Sequence, residues 1–443
     1  MRSKLITVVT GVASMLLVAQ VAAADAVQEQ LRLMEQRMAE MEDRLSSTST
    51  QLEAAEAKLE QRDATLVEHG LLEEDESALR SGVGDFVEMV DISGVVAASY
   101  NHRLIKAQDA FPQPGSGTGN ALFKNPNSNT FQVDQVWLTL DKAPTDESRA
   151  GFHAEFVTGT STANQGNNNG NPDTPYLYSG YVSYLAPLGD GVQIDVGKLG
   201  TVLGAEVVQT NGNFFVTQGA VFGLQPVTYN GVSASTQITD ELGFVAGVVN
   251  DVYSDTAVSI DNDKAYFGQF SYSGDAFGLN VGGIIGDSDV GLCGAASGAA
   301  RSFDCQVSIV DVVLTADPTD NLSLWANYDW VHVSGDDLAG HGDLHGVSGA
   351  GRFAITDDMG ISSRIEYIWT EDSVLGASDD IELLTLTGTF DKTLAEGLVA
   401  RLELRWDTFL ETAGGGAGFT QNGDGIGTNN DQLVAIAQMY YEF

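Results

Sequence analysis

The sequence has 443 residues, of which 50 are glycine, and a formal net charge of −40 at pH 7. So acidic a chain is a poor partner for nucleic acid, because phosphate binding requires clustered positive charge. Only 19% of the residues are charged, a composition that does not suit a helical enzyme. Beyond the N-terminus, no segment approaches 18 continuous apolar residues, which excludes a helical membrane protein.

The N-terminus has the pattern of a secretory signal peptide. Two basic residues precede an apolar stretch from Leu5 to Val21, and three alanines at 22–24 form a cleavage site of small residues. The alternative is an N-terminal membrane anchor, which requires a longer uninterrupted apolar run. We therefore expect residues 1–24 to be removed during export.

A seven-residue repeat follows the signal peptide. One apolar series is strong, and a second series, interleaved in 3-4 alternation, weakens along the chain. The repeat predicts a periplasmic α-helical coiled coil within residues 25–80. From Val27 to Leu66 it would form a rod of roughly 60 Å at 1.5 Å per residue. A single amphipathic helix lying on another surface is the alternative. The strong series is Leu31, Met38, Leu45, Leu52, Leu59 and Leu66, and the weaker one is Val27, Met34, Met41, Thr48, Ala55 and Arg62.

The apolar period changes from seven to two in residues 85–443. In LVARLELRWDTF, for example, apolar side chains alternate with charged ones, so that the strand has one apolar and one polar face. An open sheet edge cannot persist in lipid, so the last strand must pair with the first. Sixteen such segments are predicted, at 89–102, 130–142, 150–159, 177–186, 191–202, 230–238, 241–252, 264–272, 276–286, 306–316, 320–333, 344–356, 359–371, 381–391, 397–410 and 432–443.

The lengths of the connections between these segments alternate. Short turns follow the even strands and long polar loops follow the odd strands, as in a transmembrane barrel with both termini at the short-turn side. A soluble β-sandwich gives no reason for this sorting, and leaves Trp330, Trp369 and Trp406 near strand ends unexplained. We predict a 16-stranded antiparallel outer-membrane β-barrel preceded by the α-helical coiled coil.

The final strand, VAIAQMYYEF, has apolar or aromatic residues at alternate positions up to Phe443. The pattern predicts that these side chains face lipid while Gln438, Tyr440 and Glu442 face inward or toward the rim. A terminal phenylalanine in such a strand resembles the signal by which the barrel assembly machinery recognises outer-membrane barrels.

Several charged residues fall on inward phases of the late strands. Four arginines predict a positive patch on one wall of a pore, where lining charges would set selectivity. The alternative is that the charges pair with one another and brace the wall. The predicted pore-lining residues are Arg352, Arg364, Glu366, Arg401, Glu403, Arg405 and Asp407.

The connection at 203–229 is long but contains many apolar residues, which would be poorly placed in bulk water. We expect it to fold into the barrel and narrow it, with Glu206, Gln209 and Asn211 at the constriction. The alternative is packing over the rim or over a neighbouring subunit.

Cys293 and Cys305 lie in a stretch of small residues and are expected to form a loop disulfide after export; two free thiols are the alternative.

No cofactor is expected. Aspartates in the outer loops could bind Ca²⁺, but no loop has EF-hand spacing, and we favour solvated carboxylates that attract cations. These aspartates are Asp251, Asp255, Asp261, Asp263, Asp336, Asp337, Asp343, Asp372, Asp379 and Asp380.

Three segments resemble the putative β-barrel porin-2 family of Gram-negative outer membranes. They are DVGKLGTVLGAE (Asp195 to Glu206), FGLQPVTYNGV (Phe222 to Val232) and GVVND (Gly247 to Asp251); FQVDQVWLTLDK (Phe131 to Lys142) is compatible. The resemblance covers residues 85–443 and implies a porin without catalytic residues. The helical segment is not part of it, although trimeric porins with N-terminal coiled coils are familiar, and we expect a homotrimer.

A sixteen-stranded barrel is wide enough for an aqueous passage. We therefore expect passive diffusion of small hydrophilic solutes or ions across the Gram-negative outer membrane, with a weak cation preference and with both termini in the periplasm. One alternative is a tether that holds the membrane to peptidoglycan through the coiled coil. An outer-membrane hydrolase is less favoured, because no G-x-S-x-G elbow or metal-ligand spacing is present.

Overall fold

The computed structural model describes residues 89–105, 130–162, 174–253, 263–288, 305–335, 342–371, 382–411 and 431–443. The predicted signal peptide and coiled coil lie outside the described residues. Where the structure describes helices, none has the length and hydropathy that crossing a membrane requires.

The described residues form sixteen antiparallel strands, β1 to β16, which close into a barrel because the last strand pairs with the first. The barrel and its strand number confirm the prediction, and each predicted strand end lies within four residues of the observed one. In chain order the strands are Asp91–Ile105, Thr130–Lys142, Ala150–Thr158, Tyr176–Ala186, Val192–Gly200, Thr228–Gln237, Leu242–Val249, Ala265–Ser273, Gly278–Asp287, Cys305–Thr319, Leu322–Gly335, Gly342–Thr356, Met359–Glu371, Glu382–Ala395, Leu398–Glu411 and Asp431–Glu442.

Along most of each strand, side chains alternate between the two faces of the wall. On β13, Ile361 and Ile365 are exposed on the outer face, whereas Arg364 and Glu366 between them are buried on the inner face. An apolar outer band and a polar interior are the arrangement that a barrel needs in a bilayer. The two-residue period of the sequence therefore determines which side chains reach the interior.

β-bulges interrupt this alternation at a few positions, and one of them lies in β2. Ala97 of β1 pairs with Gln135, but Ala98 pairs with Val133, so Asp134 is an extra residue in the strand. A bulge shifts the facing of the residues on one side of it by one position. As a result, Asp134 and Gln135 are both buried. The two-residue period of the sequence gives no sign of this irregularity.

The connections after even strands are short, from two residues at 357–358 to seven at 143–149. Those after odd strands are longer, up to 27 residues at 201–227, with one exception. Because β11 and β12 extend beyond their predicted ends, only residues 336–341 join them. The barrel therefore has a short-turn rim and a long-loop rim. Its first strand begins, and its last strand ends, at the short-turn rim.

The last residue closes the barrel at the short-turn rim. The Phe443 backbone N–H donates to Gly94 O, and the Gly94 N–H donates to Phe443 O, both at 3.1 Å. A Cβ atom at Gly94 would lie 2.5 Å from the Phe443 ring, so only glycine leaves room for the ring to cross β1 there. The ring itself remains exposed on the outer face.

Deleting Phe443 is expected to lower the amount of folded barrel in outer membranes several-fold, because it removes an exposed aromatic end that we propose the assembly machinery binds. Heat-modifiable migration in gels measures the folded fraction. Phe390→Ala, which removes another exposed aromatic ring from the outer wall, is the matched control and should fold normally. Equal folded amounts for the deletion and the control would count against recognition at this residue.

Candidate functional site: a loop held inside the barrel

The connection between β5 and β6, residues 201–227, lies inside the barrel, and we call it the inner loop. It contacts inward side chains of strands far from its own. Gln135 of β2 donates from Nε2 to Val208 O at 2.9 Å, and the hydroxyl of Thr210 lies 3.2 Å from Oε1 of Gln438 on β16. Because β5 ends at Gly200 and β6 begins at Thr228, the connection is displaced by two residues from its predicted bounds.

Arg401 of β15 binds the backbone of the inner loop. Its guanidinium donates from Nη1 to Thr210 O at 2.9 Å and from Nη2 to Asn213 O at 2.8 Å. The same group lies over the Tyr440 ring, with 4.7 Å between its Cζ atom and the ring centroid. Planar guanidinium groups suit such combined donation and stacking. Arg401 therefore fixes the part of the loop that lies near the short-turn rim.

Arg405 lies four residues further along β15, on the same inner face, and binds the next part of the loop. Its Nη1 donates to Gln218 O at 2.5 Å, and its Nε donates to Asp407 Oδ1 at 2.8 Å. Both charged side chains are fully buried. The arginine is thus shared between a carboxylate of the wall and a carbonyl of the loop.

Glu403 accepts hydrogen bonds from the loop between these two arginines. Its Oε2 accepts from the Val216 N–H at 2.6 Å, and its Oε1 accepts from the Thr217 N–H at 3.1 Å and hydroxyl at 2.6 Å. Thr389 of β14 donates a further bond at 2.8 Å. A buried carboxylate with several donors is stable without exposure to water.

Glu206 is the acidic residue of the loop that reaches the wall. Its Oε1 lies 2.5 Å from Nη1 of Arg364, whose Nε lies 3.2 Å from Oε2 of Glu366. The Gly219 N–H donates to Oε2 of Glu206 at 2.6 Å. Burial raises the pKa of Glu206; the charge of Arg364 opposes this rise and that of Glu366 adds to it. One arginine thus serves two carboxylates, one from the wall and one from the loop.

Gly219→Ala is expected to destabilise the loop, since a Cβ atom there would lie 2.1 Å from Oε1 of Glu366 and 2.7 Å from Oε2 of Glu206. Overpacking of this kind costs about 1–3 kcal/mol, which thermal unfolding in detergent would detect. Gly388→Ala is the control, because nothing lies within 4 Å of its added Cβ. An unchanged melting temperature for Gly219→Ala would contradict the tight packing described here.

Apolar residues of the inner loop pack against apolar residues of the wall. Val208 and Phe222 form a buried cluster with residues of β1, β2 and β16 that include Trp137. The centroid of the Phe215 ring lies 4.5 Å from Cζ of Arg364. Burial of these side chains removes apolar surface from water, which explains why so apolar a connection is located inside the barrel.

The wall formed by β2 to β5 carries carboxylates that are partly exposed. Asp141 is 39% exposed, and its Oδ1 lies 2.8 Å from Nδ1 of His153, whose Nε2 lies 3.4 Å from Glu155 Oε2. Asp195 of β5 accepts from the Ser183 hydroxyl at 2.6 Å. Acidic groups accessible to solvent are therefore placed on a different part of the wall from the loop-binding arginines.

Six of the seven side chains predicted to line the pore are 5% exposed or less. They lie on the inner face, but their charged groups contact the loop and one another instead of an open passage. Arg352 differs, since it is 32% exposed and binds Asp391 with 2.6 Å between Nη2 and Oδ2. The alternation of the strands showed which way these residues point, but not what covers them. The six are Arg364, Glu366, Arg401, Glu403, Arg405 and Asp407.

The residues predicted at the constriction are dispersed along the loop. Glu206 is buried against Arg364, whereas Gln209 and Asn211 are half-buried. Asn211 donates from Nδ2 to Oε2 of Glu442 at 2.9 Å, near the short-turn rim. Their role in permeation stays a prediction. Further loop-binding residues, on β2, β10 and β11, were not singled out from the sequence, although their polar phases were visible; they are Gln135, Asp311, Asn327 and Asp329.

The predicted disulfide involves Cys293 and the side chain of Cys305, which lie outside the described residues. Of the outer aspartates, Asp251 is not a solvated carboxylate: it is buried and accepts from the Tyr253 N–H at 2.7 Å. Asp343 accepts from Trp330 Nε1 at 2.8 Å. In the described ranges, no three histidine, cysteine, aspartate or glutamate side chains converge as metal ligands. The aspartates outside the described residues are Asp255, Asp261, Asp336, Asp337, Asp372, Asp379 and Asp380.

Solved structures of outer-membrane proteins share this fold. The trimer form of OmpT from Vibrio cholerae superimposes with a TM-score of 0.53 at 11% identity, covering 80% of this chain and 99% of that chain. A loop L8 deletion mutant of OmpT gives a TM-score of 0.53 at 12% identity, with 80% and 99% covered. An anion-selective porin from Comamonas acidovorans gives 0.51 at 11% identity with the same coverage. Identities this low establish the fold alone.

No curated protein is significantly similar in sequence to the chain. The family described as "Putative beta-barrel porin-2, OmpL-like", however, matches residues 89–443. The match spans the whole closed barrel, from β1 to the last residue. The chain therefore belongs to the putative β-barrel porin-2, OmpL-like family, and it is a porin-like β-barrel of the outer membrane.

Proposed function

We propose that the barrel forms a non-enzymatic, water-filled channel through which small hydrophilic solutes or ions diffuse passively, and that the inner loop narrows it. The observation that carries this proposal is the closed ring of sixteen strands with a polar inner face. Barrels of this size enclose an aqueous passage, whereas eight-stranded barrels are filled by side chains. The inner loop occupies part of that space and leaves a smaller passage.

A weak preference for cations follows from which charges remain accessible. The arginines beneath the inner loop are buried against its carbonyls and against carboxylates, while Asp141 and Glu155 stay partly exposed. Fixed charges on a narrow passage attract ions of opposite sign. The anion-selective porin from Comamonas acidovorans has a similar fold, so selectivity depends on the lining residues and not on the barrel itself.

Solute flux into liposomes tests the proposed channel. Proteoliposomes that contain the full chain are exposed to a size series of neutral sugars, and swelling rates are followed by light scattering. We expect entry of small sugars and a steep decline with size, because the inner loop restricts the passage. Swelling no faster than that of empty liposomes would overturn the proposal.

Replacing Asp141 and Asp195 together with asparagine is expected to reduce the cation preference, since two partly exposed carboxylates leave the inner wall. Reversal potentials under a salt gradient measure this preference. Glu396→Gln removes one exposed carboxylate from a turn at the short-turn rim and should have a smaller effect. Equal reversal potentials for all three proteins would refute a role for the inner-wall carboxylates.

We also propose that the channel is a homotrimer, with the termini in the periplasm and residues 25–80 forming a coiled coil that contacts peptidoglycan. The trimeric neighbour supports this proposal only at the level of the fold. Removing residues 25–80 distinguishes a tether from a channel, because a tether would lose attachment to the envelope while a channel would retain conductance. Chemical cross-linking of the same two proteins reports whether the segment also holds subunits together.

A further inference from the structure

In the part of the chain that the structure describes, one histidine lies on the inner face of the barrel. His153 is on β3 and is 18% exposed. The other described histidines, His102, His332 and His345, alternate with buried inward residues and therefore lie on the outer face. Histidine is the side chain that ordinarily changes its charge between about pH 5 and 8. The charge of the inner face near His153 can therefore change near neutral pH.

Both ring nitrogens of His153 face carboxylates. Nδ1 lies 2.8 Å from Oδ1 of Asp141, which is directly opposite on β2, and Nε2 lies 3.4 Å from Oε2 of Glu155. A neutral imidazole donates from one nitrogen only, so its second nitrogen would present a lone pair to a carboxylate. The protonated ring donates from both nitrogens. This geometry matches the charged form of His153.

The groups that face His153 from β4 and β5 do not change charge near neutral pH. The Tyr181 ring stacks on the imidazole, with 5.0 Å between the ring centroids and 19° between the planes. Tyr178 is on the same strand, and Asp195 of β5 is a further carboxylate of this wall. Tyrosine ordinarily titrates near about pH 10, and aspartate near about pH 4. The titrating group between these limits is His153.

The basic side chains of the adjoining turn bind backbone groups. Lys142 donates from Nζ to Ala150 O at 2.7 Å, and Arg149 donates from Nη1 to Leu185 O at 3.1 Å. The inner loop has one ionisable residue, Glu206, and it binds Arg364.

No lysine or arginine forms an ion pair with Asp141 or Glu155 in the described ranges. The positive charge paired with these two carboxylates is therefore that of His153.

We propose that His153 sets the ion selectivity of the passage by gaining or losing its proton. With the ring protonated, two carboxylates and one imidazolium carry a net charge of about −1; without the proton, the net charge is about −2. Fixed negative charge on a narrow passage attracts cations. Loss of the proton as the pH rises therefore strengthens the cation preference. The inference rests on the proposed channel and adds to it a dependence on pH.

Reversal potentials of the full chain in planar bilayers test this inference. Under a gradient of potassium chloride, the permeability ratio of cation to anion is measured at about pH 6 and about pH 9. We expect the wild-type ratio to rise by about two-fold between them, as the negative charge of the group increases. His153→Gln, which cannot take up the proton, should give the high ratio at both pH values. His153→Lys, which keeps a positive charge, should give the low ratio at both.

His332→Gln is the matched control. His332 also lies beside an aspartate, with 2.9 Å between its Nδ1 and Asp343 Oδ1, but this pair is on the outer face. The control should keep the wild-type response to pH. A response lost equally in His332→Gln and His153→Gln would contradict a specific role of the inner histidine.

Two further results would overturn the inference and leave the channel intact. One is a wild-type ratio that is equal at both pH values, and the other is a wild-type response that persists in His153→Gln. Absence of current at both pH values would instead refute the channel, and the selectivity role with it. Folding of each variant is checked by heat-modifiable migration. If His153→Gln fails to fold, His153→Lys supplies the same comparison, because it too removes the titrating ring.

Discussion

Deletion of residues 209–222 is expected to raise single-channel conductance several-fold. The deleted segment includes the carbonyls of Thr210, Asn213 and Gln218 that the wall arginines bind. It also includes Phe215 and Phe222, which are buried against the wall. Without this segment the barrel interior would hold water where the loop now lies, and ion flow increases with the cross-section of the aqueous path. Planar-bilayer recordings of purified protein measure the change directly.

The control for this deletion keeps the length of the chain. Replacing residues 209–222 with glycine and serine retains the connection but removes its hydrogen bonds and apolar contacts. We expect an intermediate conductance with frequent transitions, because a flexible segment still enters the barrel from time to time. An unchanged conductance in the deletion variant would mean that the inner loop does not limit the passage.

The second large effect is expected from Arg401→Gln. This change removes two charge-assisted hydrogen bonds to Thr210 and Asn213 and the stacking on Tyr440. Hydrogen bonds to charged groups contribute about 1.5–3 kcal/mol each. A loss of about 3 kcal/mol shifts the ratio of docked to undocked loop by roughly 100-fold. Recordings of the variant should therefore show frequent transitions to a larger conductance.

Arg352→Gln is the matched control for this substitution. Arg352 lies on the same inner face but binds Asp391 of the wall and not the inner loop. We expect its recordings to remain as steady as those of the wild-type protein, with at most a change in ion selectivity. Similar fluctuations in both variants would show that loss of any wall arginine disturbs the barrel. That result would contradict the proposal that Arg401 specifically holds the inner loop against the wall.

The barrel could be predicted from the sequence because its determinants are local. In a strand of alternating residues, the sequence itself shows which side chains share a face. In the β13 segment ISSRIEYIW, the alternation places Ile361 and Ile365 on one face and Arg364 and Glu366 on the other. The connection lengths then place the strands in order around a ring. The bulge at Asp134 depends on the register between β1 and β2, and the sequence of a single strand does not specify that register.

The contacts of the inner loop with the wall are harder to predict from the sequence, because they join residues that are far apart in the chain. The apolar composition of the inner loop indicated that it avoids water, but the hydrogen bonds to Arg401 cross almost 200 positions. No local pattern specifies that a given arginine binds Thr210 and not solvent. Arg364, Arg401 and Arg405 were therefore expected to face a passage, whereas the structure buries them beneath the loop. Buried beneath the loop, these arginines are not exposed to permeating ions.

The most direct test of the central claim is the single-channel conductance of the purified full chain in a planar bilayer. A closed barrel with a water-filled passage beside the inner loop predicts discrete, ohmic current steps and a small preference for cations over anions. A protein that inserts into the bilayer as a folded, heat-modifiable barrel and yet carries no current would contradict it.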